Sequence, residues 1–146
     1  FDTGLSNVCE VEGLAYTPTD GLIFACKHNA APTMRNTIAF YAWRPGAAPR
    51  LWRSLPEAEI TARAGVEHFR PSSLDIDART GRLVLLSARD PALAELSPDG
   101  VLLSARALGS GHVQAEGLAV LADGALAVAD EAAGARALLS RYPRVQ

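Results

Sequence analysis

No stretch of the chain approaches the roughly 18 consecutive apolar residues of a membrane-spanning helix, so any anchor would lie in a segment outside these 146 residues. Lysine is nearly missing as well. Lys27 stands alone among the 14 basic residues, and the rest are Arg. Together with the abundant Ala, that bias reads as compositional rather than as a set of bidentate anion sites. Neither charge dominates: 16 acids against 14 bases leave a net charge of −2. That balance removes the electrostatic case for nucleic acid or an anionic membrane surface as a partner. Aromatics are sparse at 6%, yet 49% of residues are apolar and 21% charged, which is globular composition rather than disorder. Phe1 is not an initiator Met, so a trimmed or matured piece is expected and the lack of a leader carries no weight.

Only two cysteines occur. With a hairpin folded around Thr19-Asp20-Gly21, Cys26 falls near Gly13, about four residues along the strand from Cys9. At ~3.3 Å per residue that gap exceeds what a disulfide tolerates, so two unpaired thiols are expected. Without a further Cys or His beside them they also make a poor zinc site.

What the chain does have is a recurring phrase. Val11-Glu12-Gly13-Leu14-Ala15-Tyr16 returns as Ala115-Glu116-Gly117-Leu118-Ala119-Val120 and, more loosely, as Pro71-Ser72-Ser73-Leu74-Asp75-Ile76. Each copy leads into a turn (Thr19-Asp20-Gly21, Arg79-Thr80-Gly81 or Ala122-Asp123-Gly124) and then into an apolar run. A hairpin unit repeated in one chain marks a stacked or radial β architecture.

The first unit reads as strands over 11–17, 22–27, 37–43 and 50–55, with Arg44-Pro45-Gly46 as a turn. The second reads as 72–77, 82–88, 92–96 and 101–108, and the third as 116–121, 125–130 and about 136–142. Between the first two, Pro56-Glu57-Ala58-Glu59 starts a short helix in the connection 56–70. Trp43 and Trp52 fall on outer strands, where packing between units is the expected role. A four-stranded meander of this size is one propeller blade. The expected fold is therefore all-β: a single partial β-propeller domain over 1–146, with blades at about 11–55, 72–108 and 116–146. Closed propellers have four blades or more, and an open fan leaves unpaired edges. Either the chain is part of a larger propeller, or another chain covers those edges.

In a propeller the first strand of each blade lines the central channel. Glu12 and Glu116 then share one register in two blades, with Ser72 in that place between them. Antiparallel pairing brings Lys27, Ser87 and Asp130-Glu131 beside them, so a polar ring of Glu12, Lys27, Ser72, Ser73, Glu116, Asp130 and Glu131 is expected at one channel mouth. Gathered carboxylates repel unless a cation or protons intervene. Calcium, which takes oxygen ligands, answers that with Glu12, Glu116 and Glu131 as metal ligands. The Lys27 ammonium is another answer. So is the plain reading, in which both acids accept backbone N–H bonds at strand starts. No calcium-loop pattern of the Asp-x-Asp-x-Asp-Gly kind occurs.

His68 and His112 each precede the ring residue of their blade by four, and His28 follows Lys27. Such an imidazole is a candidate ligand or general base, or it simply ties its loop to a neighbouring group. Candidate ligand-binding residues are thus Lys27, Ser72, Ser73 and His112. Nucleophilic catalysis has little support, since no Gly-x-Ser-x-Gly elbow occurs. Gly109-Ser110-Gly111-His112 lacks the Lys and helix of a phosphate loop and reads as an interblade connection.

Three segments together resemble the SdiA-regulated family of phytase-like propellers. They are Glu12-Gly13-Leu14-Ala15-Tyr16 with Lys27, Pro71-Ser72-Ser73-Leu74 followed by Leu83 to Ser87, and His112-x-x-x-Glu116-Gly117-Leu118-Ala119 followed by Asp130-Glu131. The resemblance covers nearly the whole chain and implies the C-terminal half of a six-bladed propeller. It further implies a cell-envelope location, periplasmic or membrane-anchored through a segment not in this chain, and makes calcium near Glu12 and Glu116 plausible. Fold analogy does not by itself establish phytase or esterase activity.

The function expected first is a non-enzymatic propeller that binds a metal ion or small ligand at the channel mouth. Two rivals stand beside it: a scaffold contacting a protein partner through loops 28–36 and 56–70, and a metal-assisted esterase, phosphoesterase or lactonase using His112 or Glu131 for protons.

Overall fold

The computed structural model describes residues 1–132, 134 and 136–143, so the end of the third unit expected over 116–146 lies outside the described residues. Among the described residues eleven strands form three antiparallel sheets. The first contains β1 (Cys9–Thr17), β2 (Gly21–Asn29), β3 (Thr37–Trp43) and β4 (Arg50–Pro56) in sequence order. The second contains β5 (Pro71–Ile76), β6 (Leu83–Ser87), β7 (Ala92–Leu96) and β8 (Leu102–Ala107). The third contains β9 (Ala115–Val120), β10 (Leu126–Asp130) and β11 (Leu138–Tyr142). Each opening hairpin closes on a glycine with positive φ: Gly21, Gly81 and Gly124. That conformation costs residues with a Cβ, which is why the turn glycine recurs with the phrase.

The sheets stack face to face. In β6 alternate side chains face opposite ways, so Leu83 and Leu85 join Ile23, Ile38 and Phe40 of the first sheet. Val84 and Leu86 join Leu126 and Val128 of the third. The middle sheet is therefore covered on both faces, and all five residues of β6 are buried. Trp52 is buried in the first of these cores against Phe40, at 6.4 Å between ring centroids. The expected packing role of this outer-strand Trp is what the structure has. Trp43 instead meets Phe1 and Phe24 on the opposite face.

Inner strands β1, β5 and β9 lie side by side. Gly13 shows what their approach demands. A Cβ there would stand 2.8 Å from Ala25 Cβ and 2.9 Å from Leu74 Cβ. Gly13→Ala should accordingly lose about 1–3 kcal/mol by overpacking, read as a lower urea midpoint. Two side chains fasten β5 to β9: the Ser72 hydroxyl donates to the Ala115 carbonyl at 2.9 Å, and Asp75 accepts the Val120 N–H at 2.7 Å.

The segment 56–70, expected to be a loop with a short helix, is largely helix α1 (Glu57–Ala64). Ile60 and Phe69 are fully buried in the core between the first two sheets. Arg63 on this helix donates to the Leu102 and Leu103 carbonyls of the edge strand β8. The helix thereby covers an edge that would otherwise be open for pairing.

The cysteine expectation is overturned: Cys9 and Cys26 form a disulfide, with Cα atoms 5.7 Å apart. Both Glu12 and Lys27 drop out of the β1–β2 ladder, so Cys26 faces Val11 rather than Gly13. The offset falls from four residues to two. A two-residue diagonal across neighbouring strands is ordinarily about 7–8 Å, and the local bend at the bulges shortens it further.

Candidate functional site

Three ladder irregularities build the site. In the inner strand of each sheet, one residue is left unpaired. β1 pairs Val11 with Cys26 and Gly13 with Ala25, skipping Glu12. β5 pairs Pro71 with Ser87 and Ser73 with Leu86, skipping Ser72. β9 pairs Ala115 with Asp130 and Gly117 with Ala129, skipping Glu116. A bulge takes its extra residue out of the regular alternation between sheet faces and re-aims the side chain. Glu12, Ser72 and Glu116 all line one cleft of about 350 Å³, with Lys27, Arg70 and Gln114.

Each sheet supplies a distinct wall. In the first, the Lys27 ammonium donates to Glu12 at 2.6 Å and has Glu10 at 3.5 Å. The hydrogen bond to Glu12, outweighing partial desolvation, raises the Lys27 pKa above its ordinary value. Lys27 therefore stays an ammonium throughout the neutral range.

The second wall carries Arg70, which sequence reasoning missed. Glu57, the first residue of α1, is buried and accepts the Phe69 N–H at 2.9 Å and the Arg70 guanidinium at 2.6 Å. Only one guanidinium edge is held this way, and Arg70 Nε is buried with no partner among the described residues. The Arg70 backbone N–H donates to Ser87, which is itself fully buried and so belongs to the wall rather than the ring. Arg89 also lines the cleft and forms no ion pair among the described residues.

On the third wall the Gln114 amide, also missed, donates to Glu116 at 2.8 Å and to Glu131 at 2.7 Å. A carboxamide has two N–H donors, so one Gln can hold two carboxylates side by side. His112 stands behind this wall. Its ring nitrogens meet Asp130 at 2.6 Å and the Tyr142 hydroxyl, and its side chain is 4% exposed. Asp130 also accepts the Gln114 N–H, so the buried pair steadies the loop that carries Gln114. His112 is not among the cleft-lining residues, and neither is Ser73, which pairs regularly with Leu86. His68 is half-buried beside Glu67 and has no such setting. His28 borders the cleft.

Arg70 and Gln114 did have a sequence signal. Both precede the bulge residue of their sheet by two, the position Glu10 occupies in the first.

Calcium takes six to eight oxygen ligands. Among the described residues no group of three or more His, Cys, Asp or Glu is placed to hold a metal ion. Glu12 is already engaged by Lys27, and Glu116 and Glu131 by Gln114. The described side chains by themselves do not fit a complete calcium shell. Two larger clefts open elsewhere. One of about 550 Å³ lies by Tyr16, Trp52 and Pro98; the other, of about 400 Å³, lies by Arg79, Arg82 and Arg106. In the latter Arg79 is engaged by Asp77 and Arg82 by Glu95. Neither cleft includes a bulge residue of an inner strand.

No family model and no curated protein matches the sequence. Solved structures do match in fold. A gluconolactonase from Xanthomonas campestris is similar over 83% of this chain at 23% identity, with a TM-score of 0.51. The luciferin-regenerating enzyme is similar over 96% at 14% identity, with a TM-score of 0.59. A Thermus thermophilus protein described as a putative oxidoreductase (glucose dehydrogenase) is similar over 94% at 20% identity, with a TM-score of 0.51. The chain spans 35%, 47% and 41% of these three structures, respectively. On this likeness the three sheets are blades of a β-propeller.

Proposed function

We propose that this chain forms part of an extracytoplasmic propeller that binds a small polar ligand at its channel mouth and hydrolyses an ester or lactone there. The observation that carries the reading is the convergence of three equivalent bulge residues, Glu12, Ser72 and Glu116, on one cleft. The similar folds are named as enzymes, one of them a gluconolactonase, which favours the hydrolytic rival over the non-enzymatic binder expected first. Membership of the SdiA-regulated family belongs to the same proposal and rests on the ordered motifs alone. The disulfide supports the location, because such bonds persist chiefly in oxidising compartments. Among the described residues no helix is long and apolar enough to cross a membrane.

In this reading Glu116, held by Gln114, takes a proton from the water that adds to the carbonyl carbon, and returns it to the leaving alkoxide oxygen as the acyl C–O bond breaks, giving the acid and the alcohol. Lys27 and Arg70 face the negative charge that develops on the carbonyl oxygen. His112 acts as a buried positioning residue rather than as the proton carrier. A calcium ion is a second reading, favoured by carboxylates at two of the three bulges. Its binding would require Lys27 to release Glu12, and other ligands would have to complete its shell.

The test is turnover of gluconolactone and of a simple phenyl ester, with calorimetric titration of calcium in parallel. Glu116→Gln should lower turnover about 100-fold. Turnover unmoved by that change would remove the mechanism. Heat without turnover would return the site to a non-enzymatic binder, and neither heat nor turnover would end the proposal.

A further inference from the structure

The register that aligns the three bulges also aligns the residues around them. Cys26, Ser87 and Asp130 each pair with the residue just before a bulge. The two residues that follow are then equivalent across the blades: Lys27 and His28 in the first, Ala88 and Arg89 in the second, Glu131 and Ala132 in the third. Charge is divided unevenly over these positions, the bulge residue and the residue two places before it. The first blade has Glu10, Glu12 and Lys27, and the third has Glu116 and Glu131. The second has no carboxylate at any of them and carries Arg70 and Arg89 instead. A basic spoke thus stands between two that carry acids, and both of its flanks belong to this chain.

The two arginines differ in what they already hold. Arg70 is tied to the buried Glu57 carboxylate. Arg89 is exposed, lines the cleft and has no ion pair among the described residues. Its turn is nevertheless fixed on both sides. Asp90 accepts the His68 N–H at 2.6 Å, and the Pro91 carbonyl accepts the Leu108 N–H at 2.7 Å. Ala88 puts only a methyl group beside Arg89, where Lys27 and Glu131 stand in the flanking blades.

We infer that Arg89 is a specificity-determining residue of this site, holding a carboxylate that the substrate carries in addition to the ester or lactone bond to be cleaved. This role rests on the proposed hydrolysis, in which Lys27 and Arg70 face the reacting carbonyl and Arg89 remains for a standing charge. A single guanidinium suits a single negative charge, and its fork of N–H donors matches the two oxygens of a carboxylate. Glu12 and Glu116 in the same cleft disfavour a dianion such as a phosphate monoester. Exposed Val113 also lines the cleft and gives an aliphatic spacer an apolar contact.

Two esters with one leaving group and one chain length test this: monophenyl adipate, which ends in a carboxylate, and phenyl hexanoate, which ends in a methyl group. The protein should cleave the first with a kcat/KM about tenfold higher, the usual contribution of a charge-assisted hydrogen bond. Arg89→Ala should abolish that preference through KM rather than kcat, the pattern of lost uniform binding. Ala88→Glu, which gives the second blade the acid of the third, should abolish it too. Calorimetry with the monoamide of adipic acid reads binding apart from cleavage, because this probe has the carboxylate and no ester. Heat that Arg89→Ala removes, with neither ester cleaved, would overturn the hydrolysis and keep the carboxylate site. Equal cleavage of both esters, unmoved by Arg89→Ala, would overturn the inference and leave the hydrolysis standing. Inorganic phosphate bound more tightly than the monoamide would overturn the assignment to a carboxylate. Neither heat nor turnover would overturn both.

Discussion

Glu57→Ala should destabilise the protein by about 3–5 kcal/mol, the usual result of leaving one member of a buried ion pair alone. Glu57 is buried, and its carboxylate serves two partners: the Phe69 N–H and the Arg70 guanidinium. Its removal leaves an uncompensated guanidinium on a side chain, Arg70, that is only 16% exposed. It also takes an acid from the first turn of α1, where a negative charge opposes the helix dipole favourably. Urea denaturation gives the loss directly. Arg70→Met removes the other member and leaves the still more buried Glu57 carboxylate with only the Phe69 N–H, so it should cost a similar amount of stability and lower ligand affinity at the mouth as well. If Glu57→Ala changes the unfolding free energy by less than about 1 kcal/mol, the buried pair is not what fixes this wall.

Reducing the Cys9–Cys26 bond, or replacing both residues with Ala, should cost about 3 kcal/mol. The sequence separation is 17, and closing a loop of that size removes about this much chain entropy from the unfolded state. The expected local effect is larger at the first wall than elsewhere. The bond straddles the paired bulges of Glu12 and Lys27, so its loss frees those residues while leaving Ser72 held by Ala115. Thermal unfolding with and without reductant reads the global term. Amide exchange at residues 10–13 and 26–28 reads the local one, and uniform loosening throughout the chain would contradict it.

The repeat made the fold legible because strand, turn glycine and strand recur at fixed spacing, and each choice serves the same packing. Strand ends among the described residues followed to within two residues, since Gly21, Gly81 and Gly124 mark the hairpins. The pairing of Glu12 with Lys27 followed from register. What stayed hidden arises where register breaks. A bulge is not written in any residue type, and a regular ladder over these residues would set the two cysteines too far apart to bond. Asp130 belonged by strand position to the mouth, yet its bulge neighbour turns it inward onto His112. Arg70 was overlooked because its partner, Glu57, sits 13 residues earlier on a helix outside the repeat. A pattern that compares blades with one another does not reach a contact between a blade and its connection.

The most direct measurement is the cross-strand nuclear Overhauser pattern at the three inner hairpins. The expected contacts join Val11 to Cys26 and Gly13 to Ala25, with Glu12 skipped, and the same interruption recurs at Ser72 and at Glu116. An unbroken ladder through any of these residues would turn its side chain onto a blade face. The cleft would then lose that wall, and the functional reading built on three converging bulges would be contradicted.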